Sequence, residues 1–245
     1  MITILLFIVC SLLWYIPVYK KQGKPGQLSA WKCVISILTG ALPVFIVSTL
    51  IQIGLGLVMS SADKHSVPYI IFNAFIVAGV TEELVKFLGA LLLVKLFKVQ
   101  RQIDYVLIFG GVGLGFHLLE SGVSSSNLLS AVLGSILVYH MFWQFWMGLN
   151  YYEYRQASLT GKSKTKFFIL AFMVPILLHG VNDFIVFMVE ELATSNNEGF
   201  AAVWALAYLV WFVIFVIFII ITLRKVYRSA RKSREERGAY YEKEH

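Results

Sequence analysis

GVTEELVKFLGALLLVK, residues Gly79 to Lys95, puts two adjacent carboxylates, Glu82 and Glu83, and a lysine, Lys86, inside an apolar run from Tyr69 to Phe97. A run of that length crosses a bilayer as a helix, which sets the three charges near the midplane. Each charge placed there costs about 2.5–3.5 kcal/mol on insertion scales. Three on one segment therefore need partners and imply a purpose. Working outward, the rest of the chain offers Glu120, His140, His179 and Asp183 at comparable depth.

The 245 residues are 58% hydrophobic and 14% charged, with a mean hydropathy of +0.75. A soluble domain carries about 25% charged residues, so the chain reads as a polytopic membrane protein. Its net charge of +7 does not point to nucleic acid, because the basic residues stand beside apolar segments in the positive-inside pattern. Cys10 and Cys33 lie in different apolar segments without metal or disulfide spacing and read as small buried hydrophobes. The first apolar run starts at Ile2, with no basic residue before it and no small-residue cleavage site after it. It reads as a retained helix rather than a signal peptide.

Seven apolar segments are expected, at about 2–18, 33–59, 68–97, 104–120, 128–152, 167–189 and 200–223, joined by short polar linkers. They are too long and too uniformly apolar for barrel strands. The expected fold class is all-α, a polytopic transmembrane helical bundle of about seven helices. Four regions that fall on one side of the membrane hold 19 of the 21 Lys and Arg residues; the exceptions are Lys64 and Lys86. The opposite loops carry Asp63, Glu190, Glu191 and Glu198. This asymmetry sets the N-terminus outside and the C-terminus in the cytoplasm. The tail from Arg224 mixes both charge signs and reads as a solvated extension with affinity for anionic lipid.

On a helix, Glu82 and Lys86 are one turn apart and Glu83 is three residues before the lysine, so either acid can pair with it. One lysine neutralises one glutamate, and the surplus carboxylate must hold a proton, a cation, a histidine or water. The fourth segment ends GGVGLGFHLLESG, in which Gly110, Gly111, Gly113 and Gly115 are expected to clear one helix face for a close neighbour. Glu120 lies four residues after Phe116, and His117 reads as a packing histidine. His140 is expected deep in the fifth segment, 12 residues in from Leu128, pointing into the bundle among aromatics that read as packing. In the sixth segment His179 and Asp183 are four apart, an arrangement in which the acid fixes the histidine tautomer, and Pro175 loosens the helix before them. Such a set can activate a water for attack on an amide and stabilise the oxyanion, or hold one zinc ion.

In order, the motifs are Glu82-Glu83-Leu84-Val85-Lys86, Phe116-His117-Leu118-Leu119-Glu120, His140 with Gly148, and His179-Gly180-Val181-Asn182-Asp183. They resemble the PrsW-type intramembrane proteases, relatives of the CAAX-processing and bacteriocin-processing membrane proteases, over about residues 75–190. The resemblance implies a helical fold with a polar, water-filled intramembrane cavity; the apolar segments themselves make one transmembrane domain, 1–223, with its catalytic core at about 68–190, and a cytoplasmic tail at 224–245. It implies an integral protein of the bacterial cell membrane that cuts a membrane-anchored protein substrate, an anti-sigma factor in the namesake. Glu82 or Glu83 would be the general base, His140 and His179 would orient water or bind the oxyanion, and Glu120, Asp183 and Lys86 would support them. The cofactor is none or one zinc ion, with His140, His179 and Glu83 as candidate ligands.

Two other functions fit intramembrane Glu, Lys and His residues. A proton- or cation-coupled transporter uses them as an ion path, but it favours inverted repeats and broken helices, neither of which the sequence shows. A non-catalytic scaffold or immunity protein has no need of the full set of acids and histidines.

Overall fold

The apolar segments form seven helical rods in a computed structural model that describes residues 2–22, 27–124, 138–194 and 198–241. They are α1 (Ile2–Lys21), α2 (Ala30–Val58), α3 (residues 67–96), α4 (Gln102–Ser124), α5 (Tyr139–Thr160), α6 (Lys164–Thr194) and α7 (Glu198–Tyr241). No strand occurs among the described residues. Stretches within α2, α4, α6 and α7 are long and apolar enough to cross a membrane on length and composition alone. Large apolar side chains such as Leu13, Leu50, Leu92, Leu206 and Ile217 face outward, while Glu82, Glu83, Lys86, His140 and His179 are buried. That inversion of the soluble pattern fits a lipid-facing surface.

α4 is the central rod and packs against α1, α2, α3, α5 and α7. The glycines expected to clear one face of it in fact clear two. A methyl group on Gly110 or Gly113 would collide with Phe145 or with the His140 carbonyl of α5. One on Gly111 or Gly115 would meet Ser36 or the Ile37 carbonyl of α2. The spacings i,i+3 and i,i+4 put the two pairs about one helical residue, or ~100°, apart, so α4 is approached closely from both sides. The Tyr15 hydroxyl donates to the Leu107 carbonyl (2.7 Å) and ties α1 to the same rod.

Two stretches depart from α-helical winding: Gly40–Val44 in α2 and Asn73–Val80 in α3 are π-helical. Both helices stay continuous. α3 begins at a Ser66 cap whose hydroxyl accepts from the Tyr69 N–H, with Pro68 in the first turn, a pairing that suits a helix start. α5 ends at Gly161 (φ +66°), where the left-handed backbone favours glycine.

The first ten residues of the expected fifth segment fall on 125–137, outside the described residues. Val138 takes a left-handed backbone (φ 37°, ψ 51°), so α5 starts at Tyr139 and His140 is its second residue rather than a position twelve residues into a helix. The tail also differs from expectation. α7 runs through Leu223 without a break to Tyr241, and Val226, Ser229, Ala230 and Ser233 are buried along one stripe. Arg234 donates to the Lys21 carbonyl (2.8 Å), and the Lys21 ammonium lies over the Tyr227 ring. At least this far the tail is a packed helix held against α1, because small and apolar residues recur at helical spacing among the charges.

Candidate active site

The cluster is built where α3 crosses α6. A Cβ on Gly79 would lie 3.1 Å from the Ile176 carbonyl, and one on Gly180 would lie 2.3 Å from the Phe75 ring. Two glycines thus let the helices approach closely, one turn before Glu82 and Glu83 and directly beside His179. The π-helical stretch ends here: the Thr81 N–H reaches back to the Ile76 carbonyl, and the Thr81 hydroxyl donates to the same oxygen (3.1 Å). An extra residue in a turn rotates everything after it by about 100°. Downstream of it, Glu82, Glu83 and Lys86 are all buried in the bundle.

The Lys86 ammonium is completely buried. It donates to Glu82 Oε2 (2.9 Å) and Glu83 Oε1 (3.0 Å), and lies 2.7 Å from His140 Nδ1. Its charge also sits 3.9 Å from the centre of the Phe116 ring, a favourable cation–π geometry. Glu83 Oε1 accepts from His179 Nδ1 (3.0 Å) as well, and Glu83 Oε2 accepts from Gln144 Nε2 (2.8 Å). Glu82 Oε1 accepts from Gln52 Nε2 (2.9 Å). His140 Nε2 lies 2.5 Å from Glu120 Oε2. Trp143 stacks flat on His179, with centroids 4.6 Å apart, and meets His140 edge-on.

These contacts fix the proton positions. An ammonium only donates, so His140 Nδ1 accepts and its Nε2–H points to Glu120. A carboxylate only accepts, so His179 Nδ1–H points to Glu83. His179 Nε2 then faces two further carboxylates, Asp183 Oδ2 at 3.4 Å and Glu82 Oε2 at 3.7 Å. The point among these three atoms suits a proton, a water or a cation. Exposure rises toward one end of the cluster: Glu83 and Lys86 side chains are 0% exposed, Asp183 18% and Glu120 35%.

The expected site residues Glu82, Glu83, Lys86, Glu120, His140, His179 and Asp183 thus form one connected network from α3, α4, α5 and α6. His117, read as a packing residue, joins its edge: its ring bonds the Ser121 hydroxyl (3.4 Å) and lies 5.8 Å from the His140 ring.

The donor chemistry fits a metal of zinc type. Glu82, His140 and His179 each offer a ligand atom within 4.8 Å of the others, and two histidines with one carboxylate are a known catalytic zinc set. In this grouping Glu82 takes the place expected of Glu83, whose oxygens serve Lys86, His179 and Gln144. His140 would have to release one of its two present partners to join.

The model of the PrsW family intramembrane metalloproteases matches residues 29–221. The chain belongs to the PrsW family. The match spans α2 to most of α7, including every residue of the network, and places the protein among intramembrane proteases, in a lipid bilayer. Neither a curated protein nor a solved structure matches the chain. Three side chains of this PrsW-family site escaped the sequence reading: Gln52 and Gln144, which hold the two glutamates, and Trp211, whose Nε1 donates to Asn182 Oδ1 (3.1 Å); Trp143, read as packing, stacks on His179. None belongs to a motif. Only a polar glutamine in an otherwise apolar segment offered a signal.

Proposed function

We propose that this PrsW-family protein hydrolyses a peptide bond in the outer half of a membrane-anchored substrate's transmembrane segment, or just outside it, with Glu82 as the general base. The observation that carries this reading is the double role of His179. Its Nδ1 is held by Glu83, while its Nε2 faces Glu82 and Asp183 at 3.7 and 3.4 Å.

Glu83, with both oxygens engaged, fixes the ring and its tautomer, as second carboxylates do behind histidines. Glu82 Oε2 and His179 Nε2 converge on one water; Glu82 takes its proton as the oxygen attacks the carbonyl and returns it to the amide nitrogen as the C–N bond breaks. Lys86 donates to Glu82 Oε2 and holds the carboxylate in place. The His140 Nε2–H, now on Glu120, would donate to the developing oxyanion. A divalent ion held by Glu82, His140 and His179 would polarise the carbonyl and acidify its water; Glu82 and His140 would then be its ligands, and their base and oxyanion-donor roles belong to the metal-free site.

The more exposed carboxylates, Glu120 and Asp183, mark the way in for water. Beside Asp183, an apolar groove of about 430 Å³ lies between α6 and α7, lined by Val181, Ile185, Leu206 and Trp211 among others. The Trp211–Asn182–Asp183 hydrogen-bond chain links that groove to His179. A substrate helix lying there meets the cluster from its outer side, given the N-terminus-outside orientation. By family resemblance the substrate is a membrane-anchored signalling protein such as an anti-sigma factor.

Comparing new protein termini in cells expressing wild type, Glu82→Gln or Glu83→Gln tests the assignment. Termini present with wild type should vanish with Glu82→Gln and persist at reduced level with Glu83→Gln. The reverse order would move the base to Glu83.

A further inference from the structure

At the opposite end of the bundle from Glu120 and Asp183, α4, α5, α6 and α7 line an open cavity of about 280 Å³. Lys225, Arg228 and Lys232, at i, i+3 and i+7 on α7, line one wall, with Ser229 between them. Gln102, Asn150 and Glu153 supply polar groups opposite, and Leu149 and Phe167 make an apolar side.

Lys225 and Arg228 leave the charge there unbalanced. Glu153 is the single acid on the cavity, and both its oxygens are engaged, Oε1 by Gln102 (3.1 Å) and Oε2 by Lys162 (2.6 Å). The Lys225 ammonium rests on the Trp146 ring, 3.9 Å from its centre. Ser229 Oγ is buried without a hydrogen-bond partner among the described residues, an arrangement that costs stability unless a ligand supplies the bond. The cavity lies just past Leu223, the end of the apolar run of α7, which is the depth of lipid headgroups.

We infer that this cavity binds the phosphate of an anionic phospholipid, with Lys225, Arg228 and Lys232 around the phosphate, Ser229 donating to it, and the lipid's apolar part against Leu149 and Phe167. Charge complementarity demands an anion, and the apolar side together with the interfacial depth demands one that carries acyl chains. Basic pockets between transmembrane helices bind anionic lipid in this way. Such a lipid would bridge the ends of the helices that carry Glu120 and His140 at their other ends and His179 midway. The inference does not depend on the catalytic reading.

The test uses the full-length purified protein in micelles doped with phosphatidylglycerol or phosphatidylcholine. Native mass spectrometry counts retained lipid, and thermal unfolding reads its effect. Wild type should retain phosphatidylglycerol preferentially and unfold at a higher temperature with it. Each basic residue near the surface raises affinity about fivefold, so Lys225→Gln/Arg228→Gln should weaken the preference by ~25-fold, and Lys225→Arg/Arg228→Lys should keep it. Ser229→Ala is the second arm, for use even if the double variant fails to fold. It should match or exceed wild-type stability in phosphatidylcholine while gaining less from phosphatidylglycerol. Equal retention of both lipids, an unchanged preference in Ser229→Ala, or displacement of the lipid by millimolar inorganic phosphate would each overturn the proposal.

Discussion

Replacing Glu83 by glutamine separates what the carboxylate does for the fold from what it does for the chemistry. In the wild type, Glu83 accepts from Lys86, His179 and Gln144 at 3.0, 3.0 and 2.8 Å. A glutamine keeps one acceptor oxygen for Lys86 and His179 and turns its NH2 toward Gln144. Gln144 can answer, because its own Oε1 is buried without a partner and an amide flip presents that oxygen. All three bonds to the carboxylate become bonds to a neutral amide, a loss of about 1 kcal/mol each, and one orphan acceptor is satisfied, a gain of about 1 kcal/mol. The net cost is about 2 kcal/mol. Glu83→Ala, in contrast, leaves His179 Nδ1 and Gln144 Nε2 without acceptors and Lys86 one acceptor short, a loss of about 3–5 kcal/mol. Because Glu83 acts through His179, Glu83→Gln should lower turnover by about 10–100-fold, against about 10²–10⁴-fold for loss of a general base in Glu82→Gln. Unfolding in mixed detergent micelles measures the first pair, and single-turnover cleavage the second. If Glu83→Gln unfolds as readily as Glu83→Ala, the amide-flip reasoning is wrong.

Three further outcomes are expected. With Cys10 and Cys33 replaced, a single cysteine at Ser61 should react with an impermeant reagent added outside intact cells and one at Arg231 should not; the opposite result inverts the topology. Purified protein should carry one metal ion per chain, which Glu82→Gln and His179→Ala lose and Glu83→Gln retains; elemental analysis reads this directly, and equal metal in all forms would remove the Glu82–His140–His179 grouping. The hydrogen bonds of His65 Nδ1–H to Glu191 (2.9 and 3.0 Å), aided by Asp63, raise the His65 pKa above its ordinary value. That pairing stabilises the fold fully below about pH 6.5, the unfolded value, and is lost as pH rises through the higher folded value. The small stability difference between wild type and His65→Gln should therefore be largest at acid pH and fade at alkaline pH, and a difference that grows with pH would contradict the sign.

What the sequence disclosed were relations inside single helices. Glu82, Glu83 and Lys86, and likewise His179 and Asp183, are set one turn apart by helix geometry alone, so their pairing could be read before any packing was known. The apolar runs marked the rods for the same local reason. Relations between helices were hidden. Glu120 and His140 meet at 2.5 Å across a linker with no periodic signal, and Gln52 and Gln144 reach the glutamates from α2 and α5 only because of how those rods pack. The π-helical stretch before Glu82 has no composition of its own, since NAFIVAGV reads as any apolar helix. Counting depth along α5 went astray because Val138 leaves the helical conformation two residues before His140, yet Lys86 and Glu83 bring the histidine to the level that the count had suggested. That the tail packs was missed because its charges masked the stripe of Val226, Ser229, Ala230 and Ser233 that packs inward.

The central claim, hydrolysis by Glu82 and His179 at the outer side of the network, is tested most directly by the purified protein in liposomes with a single-span substrate of known orientation. Mass spectrometry of the products should show one new terminus in the outer half of the substrate's membrane segment or just beyond it. That terminus should be absent with Glu82→Gln and His179→Ala. A cut on the cytoplasmic side, or an unchanged cut with Glu82→Gln, would contradict the account.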